Sequence, residues 1–169
     1  EKERVSYFLG LLKEGKKIAL VSDAGTPLFC DPGAVIVKEL HENGFSTTSL
    51  AGANAVATFL SQVPRDWEDF VFVGFLPKTK SQIEQLLKQY KSTDLIFYES
   101  PNRIMNTLEM VKESRQQSKV AIGRELTKVF EEIVIDDTEK VIEYFQKNVL
   151  KGEIVGLVFR DVENCNDID

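Results

Sequence analysis

The chain has 169 residues, 43% of them hydrophobic and 28% charged, a composition that suits one compact domain or two small ones and excludes a disordered segment or a coiled coil. It contains no apolar run of the roughly 18 residues a membrane span needs, and its charged start lacks a small-residue cleavage site, so a soluble, cytoplasmic protein is expected. Cys30 and Cys165 form no Cys-x-x-Cys pair and His41 is the sole histidine, which argues against a metal centre and a Ser-His-Asp triad. The net charge of −6 is uneven: residues 1–63 carry 6 basic and 7 acidic side chains, residues 64–128 carry 11 and 9, and residues 129–169 carry 4 and 11. Nucleic-acid binding by bulk charge is therefore not indicated, and any RNA contact must be local and guided by shape.

The elements alternate between apolar runs and helical periodicity, the pattern of an α/β fold. A helix over about 2–14 ends at Gly15; because the chain starts at Glu1 rather than Met and no strand precedes this helix, it is expected to be an incomplete piece. Ile18 to Val21 is continuously apolar, as in a strand buried on both faces, and runs into Ser22-Asp23-Ala24-Gly25-Thr26-Pro27. Asp31 and Pro32 read as an N-cap and a first helical residue, opening a helix to about Asn43 that Gly44 stops. A short strand near 46–50 leads to Ala51-Gly52-Ala53-Asn54, and Ala55 to Gln62 are helical. Residues 63–68, with Pro64 and a charge cluster, are the expected boundary between a first domain (1–65) and a second (66–160). In the second, the expected order is a strand at Phe70 to Leu76, a helix capped by Ser81-Gln82-Ile83-Glu84 and running to Tyr90, a strand at Asp94 to Tyr98, and a helix capped by Ser100, started by Pro101 and running to Glu113. Strands near 119–124 and 131–135, a helix near 138–147 and a strand at 153–159 follow, before an acidic tail over 161–169.

Four segments carry chemistry. Ser22 to Pro27 follows a buried strand, where open α/β sheets bind ligands; Gly25 allows close approach, and Asp23 and Thr26 offer polar groups. The residues equally describe a tight strand-to-helix turn, since neither a dinucleotide nor a P-loop glycine pattern is present. Ala51 to Ala55 could line the same crevice or simply allow close helix packing. Around Tyr98-Glu99-Ser100-Pro101-Asn102-Arg103, the guanidinium could grip a phosphate or pair with Glu99. The run Arg124-Glu125-Leu126-Thr127-Lys128 could serve a site or form a solvated face.

In order, Ser-Asp-Ala-Gly-Thr-Pro, Asp-Pro-Gly (31–33), Gly-Phe-Leu-Pro (74–77), Phe-Tyr-Glu-Ser-Pro-x-Arg, Arg-Glu-Leu-Thr-Lys and Lys-Gly-Glu-Ile-Val (151–155) resemble the tetrapyrrole-methylase-like superfamily, and within it the bacterial 16S ribosomal RNA cytidine ribose 2′-O-methyltransferases. The likeness runs from about residue 2 to 159. It implies a two-domain α/β fold with S-adenosylmethionine in the cleft between the domains, a homodimer, and a first domain here truncated at its N-terminus, so that the piece alone is expected to be inactive. Asp23, Ala24, Gly25, Thr26 and Leu28 match the loop that receives the methionine end of the cofactor, and Asn54 and Ala55 the second cofactor loop. Tyr98, Glu99, Leu126, Gly152 and Glu153 match positions that wall the adenosine. Ala51-Gly52-Ala53-Asn54 departs from the usual Pro-Gly-Pro-Ser, Phe29-Cys30 from Ile-Ser, and Asn102 from a frequent His.

The activity so implied is methylation of a cytidine ribose in small-subunit ribosomal RNA. The cofactor carries the reactive methyl, no metal is required, and the weakly nucleophilic hydroxyl gains from a base or from nearby cations. Glu99 or Glu125 are the base candidates and Lys128 a catalytic cation, while Arg103, Arg124 and Lys128 are candidates for RNA phosphates. Two alternatives stay open: a tetrapyrrole or corrinoid-precursor methylase of the same fold, and a non-catalytic piece acting in dimerisation.

Overall fold

A computed structural model describes residues 2–66, 69–115, 117–148 and 150–161. Trp67 and Glu68 of the expected boundary, Cys165 and the tail beyond Asp161 lie outside the described residues. The chain divides into two compact units, Glu1–Asn54 and Ala55–Asp169.

The first unit holds α1 (Lys2–Lys13) and α2 (Ala34–Glu42), packed on each other with Val5 buried. The α2 helix closes in a Schellman pattern: the Phe45 N–H donates to Leu40 O (2.9 Å) and the Gly44 N–H to His41 O (3.1 Å), which places Gly44 at a φ of 79°, open to glycine at little cost. Two expectations fail here. Residues 18–21 and 46–50 are in no strand, and Val21 and Leu50 are 81% and 86% exposed rather than buried. A segment becomes a strand only against a hydrogen-bonded neighbour, and among the described residues neither the apolar 18–21 nor the Ser- and Thr-rich 46–50 has one. Asp31 and Pro32 do not start α2 either, because Gly33, at a φ of 130°, occupies the N-cap without a side-chain cap. The helix begins one residue after that glycine.

The second unit is a five-stranded sheet with helices. Its elements are α3 (Ala55–Leu60), β1 (Phe70–Phe75), α4 (Lys80–Gln89), β2 (Asp94–Glu99), α5 (Ile104–Ser114), β3 (Lys119–Arg124), β4 (Glu132–Asp137), α6 (Thr138–Lys147) and β5 (Ile154–Val158). The strand order is β1-β2-β5-β3-β4, with β1 and β2 parallel and the other pairs antiparallel. Hence β1, β2 and β3 run one way, β4 and β5 the other, and the C-terminal ends of the first three share one edge of the sheet with the N-terminal ends of the last two.

Period-2 alternation sends β-strand side chains to two separate clusters. Leu95, Phe97, Val120, Ile122, Ile154 and Val158 meet α4, α5 and α6, whereas Ile96, Ala121, Val155 and Leu157 meet Val56 and Phe59 of α3. The central strands are buried on both faces, which explains their uninterrupted apolar sequences. Two glycines make room for aromatic rings. A Cβ on Gly156 would fall 2.3 Å from Phe97 Cζ, its cross-strand partner, and one on Gly123 would fall 2.7 Å from Phe59 Cδ2.

Two helix starts differ from expectation. Thr79, not Ser81, is the N-cap of α4; its hydroxyl donates to Gln82 Oε1 (2.7 Å), a Thr-x-x-Gln pairing two residues earlier than the expected capping box. The α5 helix starts at Ile104, with Pro101, Asn102 and Arg103 in a turn whose Arg103 N–H bonds Ser100 O.

Candidate functional site

Each unit gathers one set of the expected site residues. In the first, the loops 22–28 and 51–54 touch: Thr26 Oγ1 donates to Ala53 O (3.0 Å), and the Ser22 hydroxyl donates to Gly25 O (3.0 Å) and Ala24 O (3.2 Å). Glycines permit this fit. A Cβ at Gly25, where φ is 75°, would stand 3.4 Å from Ala53 O, and one at Gly52 would stand 3.2 Å from Thr26 Oγ1. Leu28, at a φ of 68°, sends its side chain against Gly33. Asp23 and Ala24 are exposed at the tip of the first loop, and Asn54 ends the second.

In the second unit, Tyr98, Glu99, Arg103, Arg124, Glu125, Leu126, Lys128, Gly152 and Glu153 all fall at the shared edge formed by the ends of β2, β3 and β5. Glu99 and Arg124 flank Ile154 from either side in the strand register. Tyr98 and Leu126, both half-buried, belong to the cluster on the α3 side, and the Tyr98 ring packs against Phe72 (5.0 Å, edge-on) and Phe75 (5.6 Å). Ala55 is the first residue of α3.

Glu99 is buried, and its carboxylate accepts the Ser100 N–H (2.8 Å), the Thr107 hydroxyl (3.1 Å) and Arg103 (3.2 Å). Arg103 also donates to the main-chain oxygens of Leu76 (3.2 Å) and Pro77. Arg124 Nε pairs with Glu132 Oε2 at 2.6 Å, across the β3–β4 register, and the Tyr144 hydroxyl donates to the other oxygen of Glu132.

The turn after β3 is tightly organised. Glu125 and Thr127 adopt φ of 47° and 64°, and the Glu125 N–H donates to Glu153 O (3.0 Å). The carboxylate of Glu125 accepts the Glu153 N–H (3.0 Å) and Lys128 Nζ (3.1 Å), and these two donors, the backbone one first, hold its pKa below the ordinary glutamate value. Lys128 also reaches Glu153 Oε2 (3.0 Å); its hydrogen bonds to Glu153 and then Glu125 raise its pKa. Gly152 is what lets Glu125 lie there: a Cβ on it would stand 2.1 Å from Glu125 Oε1, at a φ of 89° that disfavours any other residue.

Thus each basic residue expected to meet phosphate has a carboxylate partner. The sequence reading missed Thr107, Glu132 and the carbonyls of Leu76 and Pro77. Thr107 was findable, as the one polar residue on the buried stripe of Ile104, Leu108 and Val111; carbonyls leave no trace in sequence.

No protein-family model matches the chain. The proteins named ribosomal RNA small subunit methyltransferase I, however, do. The one from Thermotoga maritima is 37% identical over 155 residues, covering 90% of this chain and 69% of that protein. The chain belongs to the ribosomal RNA small subunit methyltransferase I family. The family member from Rickettsia prowazekii is 38% identical over 163 residues, 95% of this chain and 58% of that protein, and the one from Bacillus subtilis is 40% identical over 160 residues, 94% and 54%. The chain therefore spans between about half and about two thirds of the length of these family members.

Solved structures share the fold. The methyltransferase CobJ superposes with a TM-score of 0.68 at 18% identity, covering 94% of this chain and 70% of that one. The uroporphyrin-III C-methyl transferase from Thermus thermophilus, complexed with S-adenosyl homocysteine, gives 0.60 at 15%, covering 93% and 72%. The α/β architecture expected from the sequence is that of the tetrapyrrole methylases.

Proposed function

We propose that the protein of which this chain is part transfers a methyl group from S-adenosylmethionine to small-subunit ribosomal RNA, at the ribose 2′-hydroxyl of a cytidine. The observation that carries the proposal is the gathering of Tyr98, Glu99, Leu126, Gly152 and Glu153 at one edge of the sheet, in a chain of this family. The residues fit the group: Tyr98 and Leu126 offer aromatic and aliphatic surface for a purine, and the exposed Glu153 carboxylate offers an acceptor for ribose hydroxyls. Asp23, Ala24, Gly25, Thr26, Leu28, Asn54 and Ala55 are assigned to the methionine end. When bound, the cofactor supplies an electrophilic methyl; the protein has to orient the hydroxyl in line with it and stabilise the oxygen as it loses its proton.

The geometry bears on which residues do so. The donors on Glu125 hold it as an anion and make it a weak base, while the buried Glu99 carboxylate is committed to Ser100, Thr107 and Arg103, which suits it to fixing the segment around it. Lys128 has the most exposed side chain of the three basic candidates, 46% against 32% for Arg103 and 19% for Arg124, and it is the one we assign to RNA phosphate, with Arg124 behind it. Fold likeness alone stands behind the tetrapyrrole alternative.

Calorimetry of the full-length protein with S-adenosylhomocysteine, together with mass spectrometry of ribosomal RNA from cells lacking the gene, tests the proposal. Binding, and loss of one ribose methyl on a small-subunit cytidine, are expected; no binding, or an unchanged ribosomal RNA, refutes it.

A further inference from the structure

We propose that Arg103 is a positioning residue that clamps the loop after β1 to the end of β2, and so fixes the Phe75–Tyr98 aromatic edge of the candidate site. The functional half of this inference rests on the reading above; the structural half does not.

Among the described residues, β1 is at the edge of the sheet, paired on one side only, by β2. Its ladder is interrupted between Phe72 and Phe75, where Gly74 takes a φ of 68°, a bulge that bends the strand end. Past that bulge the Leu76 N–H to Tyr98 O bond is stretched to 3.4 Å. The strand end therefore needs a second tether, and Arg103 provides it: one guanidinium nitrogen, Nη2, faces the carbonyls of Leu76 and Pro77 and also the Glu99 carboxylate.

The anchor at the far side is rigid. Glu99 is buried at the end of β2, and Ser100 N–H and Thr107 Oγ1 fix its carboxylate, so the guanidinium is seated from β2 and α5 at once. What it holds is Leu76, whose side chain is in the core, and through Leu76 the neighbouring Phe75, which is exposed and leans on Tyr98. The guanidinium reaches one atom further than a lysine ammonium and its planar end is rigid, so Nη2 can sit among the carboxylate and both carbonyls, whereas the shorter, flexible lysine stem would bring its charge to Glu99 without holding the two carbonyls. The same commitment to three acceptors explains why Arg103 is not the residue to expect on an RNA phosphate.

The test uses the full-length protein with Arg103→Lys and Arg103→Ala, read by hydrogen exchange, melting temperature and calorimetry with S-adenosylhomocysteine. Arg103→Lys keeps a cation beside Glu99 and is expected to melt near the wild type, yet to speed amide exchange at Leu76, whose N–H bonds Tyr98 O, at least 10-fold while Leu95 to Phe97 stay unchanged. Its S-adenosylhomocysteine affinity should fall about 10-fold, and Arg103→Ala should exceed it in both. Exchange that is unchanged at the loop, or raised equally throughout the sheet, overturns the clamp. If the wild type binds no S-adenosylhomocysteine, the functional reading fails while the exchange pattern still decides the clamp. Localised exchange with unchanged cofactor affinity overturns the link between the clamp and the site.

Discussion

Replacing Gly156 with alanine should destabilise the second unit more than any other single methyl added to its sheet. The new Cβ would stand 2.3 Å from Phe97 Cζ and 2.7 and 2.8 Å from two further ring atoms, all well inside the roughly 3.5–4 Å of carbon–carbon contact and the first by more than about 1 Å. Phe97 is fully buried in a central strand and packed among residues of the main core cluster, so its ring cannot swing away without opening a cavity elsewhere. Overpacking of this kind costs about 1–3 kcal/mol, offset by about 0.4–1 kcal/mol from the smaller entropy of an unfolded chain with alanine. With three ring atoms this close the overpacking falls in the upper part of its range, about 2–3 kcal/mol, so the net loss is about 1–2.6 kcal/mol, or roughly 4–10 °C in melting temperature for a unit of this size. Gly123→Ala makes a useful contrast: its contacts, 2.7 and 2.9 Å to Phe59 and 3.2 Å to Val155, are, taken in order, each longer than those at Gly156, so its cost should be smaller. Thermal unfolding by circular dichroism measures both, and Phe97→Leu combined with Gly156→Ala should lose less than the sum of the two single changes. A Gly156→Ala protein as stable as the wild type, or strict additivity in the double variant, would refute the packing argument.

Gly25→Val should leave the fold intact but abolish S-adenosylmethionine binding, because a β-branched residue at a φ of 75° distorts the loop that meets Ala53; unchanged affinity in a folded variant would remove the loop from the site. Lys128→Ala should weaken binding to a small-subunit particle and lower the salt dependence by about one unit of log-log slope, with cofactor affinity nearly constant. The Glu125 carboxyl should titrate below the ordinary glutamate value by NMR, so the contribution of its pairing to the 125–131 turn is present above that value and is lost as pH falls through the depressed pKa. In Lys128→Ala the Glu125 midpoint should rise only part of the way, since the Glu153 N–H, the larger cause, remains; a full return to the ordinary value would show that the lysine dominates.

Elements whose own residues carry the burial pattern were legible, and features set by a partner the pattern does not name were not. The α6 helix follows from Thr138 to Lys147 alone, since Val141, Ile142 and Phe145 mark its buried stripe. β2 and β5 read as strands because a residue run buried on both faces must be apolar throughout. The run 18–21 has the same look without the outcome, because pairing is a property of two segments and the run displays only one of them; the segment 46–50, four Ser and Thr residues and Leu50, lacks even the apolar pattern. Helix starts slipped for a related reason: proline restricts its predecessor but does not oblige the helix to begin, and Gly33 and the Ser100–Arg103 turn set the first turn of α2 and α5 instead.

The candidate site shows the same division, and it bears on how RNA would be held. The motif segments were visible as segments, yet the roles of Arg103, Arg124 and Lys128 turned on acceptors 8, 25 or 27 positions away in sequence. Arg124 and Glu132 become predictable partners only once the β3–β4 register is known. Because each of these cations already faces a carboxylate, a phosphate would have to displace an internal partner rather than fill an empty cationic pocket. For Lys128 the exchange is cheap: the side chain is exposed, and surface ion pairs contribute little. For Arg103 it would strip the buried Glu99 of its only ion-pair partner among the described residues, which is costly in a dry environment. Under the proposed function, Lys128 is the residue at this edge that could exchange its partner for a phosphate at least cost, and the basic excess of residues 64–128 overstates the charge available to a nucleic acid.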